Sequence, residues 1–122
     1  RLAFTLESAH RLPNAGSDHK CSRLHGHSFR IEVGASDLDR LRGPLRGIYD
    51  RLDHRYLNEI EGLENPTSEN LACWIWRELE RDVPRRTGQT GQMGRTGRRG
   101  QTGQTVVVVR ESPETACVYR GE

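Results

Sequence analysis

Hydrophobic and polar residues alternate at the start of the chain. Leu2, Phe4 and Leu6 are interleaved with Ala3, Thr5 and Glu7, the period of a half-buried strand, here running to His10. Leu12 to Lys20 is rich in turn formers and reads as a loop. Alternation resumes from Ser28 to Gly34, with Phe29, Ile31 and Val33 on one side, predicting a second strand that carries His25 and His27 at its start. Leu38, Leu41, Leu45, Ile48, Tyr49 and Leu52 then recur at three and four, the stripe of an amphipathic helix. Ser36-Asp37-Leu38-Asp39 has the form of a capping box at its start, and Gly43-Pro44 predicts a kink inside it. In a second helix Asn65-Pro66-Thr67-Ser68-Glu69 supplies cap and first turn. Leu71, Trp74, Ile75 and Leu79 share one face, and the helix stops before Pro84. Val106–Arg110 and Ala116–Arg120 are β-rich, joined by Ser112-Pro113-Glu114-Thr115 as a closing hairpin.

Residues 88–105 break this pattern with six triplets, each led by Gly. They contain no proline to set a polyproline geometry, so a collagen-like triple helix is not expected, and a flexible insertion at about 86–105 is. The insertion also distorts the charge. The net charge is +2, but residues 85–105 hold five arginines and no acid; the rest carries 14 basic against 17 acidic residues. A nucleic-acid role would rest on that tract alone, and none is expected.

At 122 residues, the chain is expected to form a single domain over 1–122. Only 33% of residues are hydrophobic, and mean hydropathy is −0.82, a thin core that favours burial between subunits. No apolar run reaches the length of a membrane span, and no secretory pattern opens the chain. Three cysteines without framework spacing fit a reducing compartment, so a cytoplasmic location is expected.

The chemistry concentrates in His10 and in Cys21-Ser22-Arg23-Leu24-His25-Gly26-His27. Two histidines two apart on a strand face the same way. With a third from a neighbouring strand they suit a metal centre with an open position, the usual form of catalytic zinc. Cys21 is close enough to act as base or nucleophile beside such an ion, or is a small buried hydrophobe. His19 reads as a solvated loop residue. Asp53-His54 suits proton shuttling, or is a polar cluster at a helix end. Glu111 is either a strand-end charge or a carboxylate able to grip a guanidine-like edge through two parallel hydrogen bonds. Cys73 and Cys117 read as packing residues.

These stretches resemble the 6-pyruvoyl-tetrahydropterin synthase family. The resemblance covers 8–33, 49–76 and 106–122, and it rests on Cys-x-x-x-His-Gly-His, Leu-Asp-His-x-x-Leu-Asn and Asn-Pro-Thr-Ser-Glu in family order. The Lys20-Cys21 context and the Cys-Val-Tyr-Arg-Gly-Glu ending are closest to the bacterial 6-carboxy-5,6,7,8-tetrahydropterin synthase branch of the queuosine pathway. The resemblance implies an α+β tunnelling fold of ββααββ order: an antiparallel sheet with two helices on one face, assembled as trimers or hexamers. It implies Zn²⁺ on His10, His25 and His27, and Cys21 as proton acceptor. It also implies a relay of Asp53 and His54 reaching a neighbouring subunit, and Glu111 on the pterin edge. The implied reaction converts 7,8-dihydroneopterin triphosphate to 6-carboxytetrahydropterin, acetaldehyde and triphosphate. Alternatives are triphosphate elimination to 6-pyruvoyl-tetrahydropterin and a non-catalytic zinc-bearing assembly protein. A further strand expected before the first helix has no room here, because Gly34-Ala35 runs directly into Ser36-Asp37.

Overall fold

The computed structural model describes residues 1–12, 25–82 and 105–121, and the side chain of His25 is outside that description. Cys21, His19, Lys20 and the Gly-led triplets up to Gln104 also lie outside the described residues. Four strands, β1 (Leu2–His10), β2 (His25–Gly34), β3 (Val106–Ser112) and β4 (Thr115–Tyr119), form one antiparallel sheet in the order β1-β2-β3-β4. Between β2 and β3 come α1 (Arg42–Leu52) and α2 (Ser68–Asp82). This is the expected ββααββ order. Residues 35–37 form no strand, and the chain passes from Gly34 to a 3-10 turn at Leu38–Leu41.

The strand periodicity is carried into burial. Leu6 from β1, Phe29, Ile31 and Val33 from β2, and Val107 and Val109 from β3 are fully buried. They meet Ile48 and Leu52 of α1 and Leu71, Ile75 and Leu79 of α2 in a single core. Trp74, expected on the same α2 face, sits at its margin. Its Nε1 donates to the Glu61 carbonyl at 3.0 Å, and the Arg51 guanidinium lies 5.1 Å from its ring. A large ring with a polar N–H gains more from a wet rim than from full burial.

Two local expectations are corrected. No capping box opens the first helix: Asp37 caps the 3-10 turn without a side-chain bond, and Asp39 pairs with Arg42 at 3.2 Å. Gly43-Pro44 produces no kink within α1, because the helix begins only at Arg42. Proline in a first turn costs no hydrogen bond, since the first amides of a helix have no intrahelical acceptor. At α2 the cap is Thr67, whose Oγ1 accepts the Asn70 amide at 3.1 Å while its carbonyl accepts Leu71 N at 2.8 Å.

Phe29 ties the core to the histidines. Its ring centroid lies 5.3 Å from His10 and 5.5 Å from His27. Phe29→Ala is expected to cost about 3–5 kcal/mol of stability through the cavity it leaves. Urea unfolding should show a lowered midpoint with little change in slope.

Candidate active site

The C-terminal half of β1 organises the site. Ser8 is buried and donates from Oγ to the Leu52 carbonyl at 2.7 Å, fastening the end of α1 to the sheet. The helix then stops: Asp53 is extended, and His54 has φ +58°. Among non-glycine residues, Asn, Asp and His enter that left-handed region most readily. The turn lets the next residues run beside β1. His54 N donates to the Glu7 carbonyl at 2.7 Å, Ala9 N donates to the Arg55 carbonyl at 3.0 Å, and Tyr56 forms a parallel bridge with Ala9. Asn58 extends the stitching. It receives the Arg11 amide and donates to the Arg11 carbonyl, both at 2.8 Å.

This path orients the Asp53–His54 pair. Asp53 Oδ1 accepts the Glu7 amide at 3.0 Å, and Oδ2 accepts His54 Nδ1–H at 2.7 Å. The Glu7 amide is the main cause holding the Asp53 carboxyl below the usual carboxylate range; it outweighs partial desolvation, with further help from His54 and Tyr49. The Tyr49 hydroxyl is pushed upward, chiefly by its hydrogen bond to Asp53. His54 lines a cleft of about 540 Å³ together with Glu7, Ser8, Gly26, His27 and Tyr56. Within this chain His54 and His27 line the same cleft, with Asp53 behind His54.

On the sheet, His10 is fully buried, and its Nδ1 lies 2.8 Å from the Pro66 carbonyl. A carbonyl only accepts, so Nδ1 carries the proton and Nε2 the lone pair. His10 and His27 stand edge to face with centroids 4.9 Å apart. Glu111 Oε2 is 3.7 Å from His27 Nε2, and its Oε1 accepts the Ser68 hydroxyl. Ligand atoms of His10, His27 and Glu111 lie within 4.8 Å of one another. His25 is the register partner of His10 across β1 and β2. Two imidazoles this close, one already oriented by a backbone carbonyl, are donors that fit Zn²⁺, and the Glu111 carboxylate stands beside them.

The structure thus brings together His10, His27, Glu111, Asp53 and His54 from four separate segments. Glu111, a strand-end residue by sequence, faces the site because the alternation of β3 puts it on the same side as the buried Val107 and Val109. Sequence reasoning missed Ser68, Pro66, Ser8 and Tyr49. Asn-Pro-Thr-Ser-Glu was legible as a helix start, but not as the source of a carbonyl for His10 and a hydroxyl for Glu111.

A carboxyl held low in the folded state stabilises the fold above its ordinary pKa and loses that contribution as pH falls through the lowered value. Asp53→Asn is therefore expected to be less stable than the parent at pH 7, with the difference shrinking below about pH 4. Denaturant midpoints from pH 7 to 3 check this; a constant difference would contradict it.

The family model described as 6-pyruvoyl tetrahydropterin synthase matches residues 1–122. A 6-carboxy-5,6,7,8-tetrahydropterin synthase of Synechocystis sp. is 43% identical over 93 residues, covering 63% of this chain and 70% of the relative. A dihydroneopterin monophosphate aldolase of Pyrococcus furiosus is 37% identical over 70 residues, covering 50% of this chain and 60% of the relative. Among solved structures, the 6-pyruvoyl tetrahydropterin synthase of Caenorhabditis elegans gives a TM-score of 0.73 at 23% identity, covering 99% of this chain and 93% of that one. That likeness speaks to the fold alone, and it is the tunnelling fold expected above. With its full length matched and its sheet and helices arranged as in a solved relative, the chain belongs to the 6-pyruvoyl tetrahydropterin synthase family.

Proposed function

We propose that the chain is a zinc-dependent carbon–carbon lyase that converts 7,8-dihydroneopterin triphosphate and one water to 6-carboxy-5,6,7,8-tetrahydropterin, acetaldehyde and triphosphate, serving queuosine and other 7-deazaguanine biosynthesis. The observation that carries the reading is the convergence of His10, His27 and Glu111 next to a cleft that His27 shares with His54, itself hydrogen-bonded to Asp53. Support comes from the 43% identical relative named for this product and from the relative named as an aldolase on a related pterin.

In this reading His10, His25 and His27 hold Zn²⁺, which when bound supplies a Lewis acid able to acidify a hydroxyl and polarise a carbonyl. Glu111 accepts hydrogen bonds from the 2-amino and N3 edge of the pterin, and the Ser68 hydroxyl on Oε1 fixes the carboxylate plane. His54 gives and takes a proton at Nε2, because its Nδ1–H is committed to Asp53. Asp53 keeps that tautomer and favours the imidazolium when it forms. Cys21 takes the second proton from the other side of the side chain, and cleavage follows in a retro-aldol sense with the ring as electron sink. The protein is cytoplasmic and acts as a homo-oligomer, trimer or hexamer. The thin core supports assembly, as does the outer edge of β1, where Leu2 to Thr5 line an open groove with Arg42, Arg46 and Tyr49. No helix among the described residues is long and apolar enough to cross a membrane.

The test is incubation of zinc-loaded protein with dihydroneopterin triphosphate, assaying acetaldehyde and triphosphate together. Both are expected. Triphosphate with a retained three-carbon side chain would instead indicate the 6-pyruvoyl product. Neither product, with zinc bound and folding verified, would mark an inert assembly protein. Cys21→Ala and His54→Ala should each lower kcat by about 10²- to 10⁴-fold. Exchange into chelator should abolish turnover and added zinc should restore it, while His27→Ala should bind zinc at least about 10-fold more weakly, read by metal competition.

A further inference from the structure

The alternation that turns His27, Phe29, Ile31 and Val33 towards the helices turns Ser28, Arg30 and Glu32 to the open face of the sheet. There Arg30 stands directly opposite Arg110 in the β2–β3 register. Like charges in that relation repel. Glu32 offsets them: its Oε2 lies 3.2 Å from Arg30 Nε and 3.9 Å from Arg110 Nε, and its Oε1 lies 3.2 Å from Arg1 Nη1. The Glu32 carboxyl is held below its usual range chiefly by the Arg30 hydrogen bond, against partial desolvation.

One carboxylate therefore answers three guanidinium groups. The other carboxylate that β1, β2 and β3 present on this face is Glu7, which accepts the Ser28 hydroxyl at 2.7 Å. Exposure separates the partners. Glu32 is 19% exposed, whereas Arg110, Arg30 and Arg1 are 40%, 55% and 58% exposed. The negative charge sits low against the sheet, and the positive groups stand above it with charge to spare. Thr5, the register partner of Arg30 on β1, adds a hydroxyl to the same face.

We propose that this arginine cluster is an oxyanion site for phosphate-class polyanions, with Arg30 and Arg110 as the paired forks, Arg1 at the rim, and Glu32 positioning them. Planar guanidinium forks match phosphate oxygens two at a time, and three of them suit a ligand with several phosphoryl groups better than a single phosphate. The site is separate from the histidine cluster, because His27 and Arg30 leave β2 on opposite faces. It does not depend on the reaction proposed above.

Calorimetric titration of the full, zinc-loaded chain with inorganic triphosphate tests this, with inorganic phosphate as a second probe. Saturable, salt-sensitive binding of triphosphate is expected, with phosphate weaker. Arg30→Gln and Arg110→Gln should each weaken it by at least about 10-fold. Glu32→Gln should tighten it by about 10-fold, since it removes the competing carboxylate and adds one net positive charge; misfolding does not mimic such a gain. His27→Ala should leave it unchanged, which separates this site from metal chelation and from the cleft. Undiminished binding in the Arg30→Gln/Arg110→Gln double variant, loss of binding in His27→Ala, or no binding in the parent overturns the proposal.

Discussion

The backbone hydrogen bonds on the outer edge of β1, from Glu7 to Ala9, are the constraint on which the site depends. An edge strand ordinarily leaves these groups to solvent or to another chain. Here the residues leaving α1 take them. The Glu7 amide goes to Asp53, the Glu7 carbonyl to His54 N, and the Ala9 amide to the Arg55 carbonyl. The same short stretch presents Ser8 and His10 to the helix side and pairs with the strand bearing His27. The histidine cluster and the Asp53–His54 pair are thereby referred to one rigid element. Preorganisation of that kind is what a site needs to act without paying for reorganisation at each turnover.

The two faces of the sheet are built on different physics. The helix side is an apolar layer, and its polar members are satisfied one by one: Ser8 by Leu52, His10 by Pro66, Glu111 by Ser68. Each bond avoids the cost of a buried polar group left without a partner, which generally exceeds what such a bond adds to stability. The open side carries exposed charge in imbalance, where solvent screens repulsion and permits three arginines around Glu32. A sheet only one residue thick can therefore keep the histidine cluster and the arginine-rich surface apart.

The two local corrections share a cause. Capping boxes and proline kinks are rules for helices whose boundaries are known, and the boundary of α1 was displaced by the 3-10 turn at Leu38–Leu41. That turn forms where only three residues separate the end of β2 from Leu38, so the chain must tighten before it can lie along the sheet. Tertiary geometry overrode the local signal there. At α2, where a longer connection precedes the helix, Thr67 caps as its sequence position suggests.

The strand and helix periods determined the architecture, because side chains two or three to four residues apart share a face whatever lies around them. Alternation placed β1 and β2, β-rich runs placed β3 and β4, the apolar stripes placed both helices, and Cys-x-x-x-His-Gly-His, Leu-Asp-His and Glu111 nominated the chemistry. What the sequence could not express was proximity. His27 and Glu111 are 84 positions apart and come within 3.7 Å only through the pairing of β2 with β3. The Asp53–His54 pair is adjacent in sequence, yet its orientation comes from a strand 46 residues away. Hydrogen bonds to backbone carbonyls, such as Pro66 on His10, leave no mark in residue identity, since every residue carries a carbonyl. Only the folded chain decides which one a side chain meets.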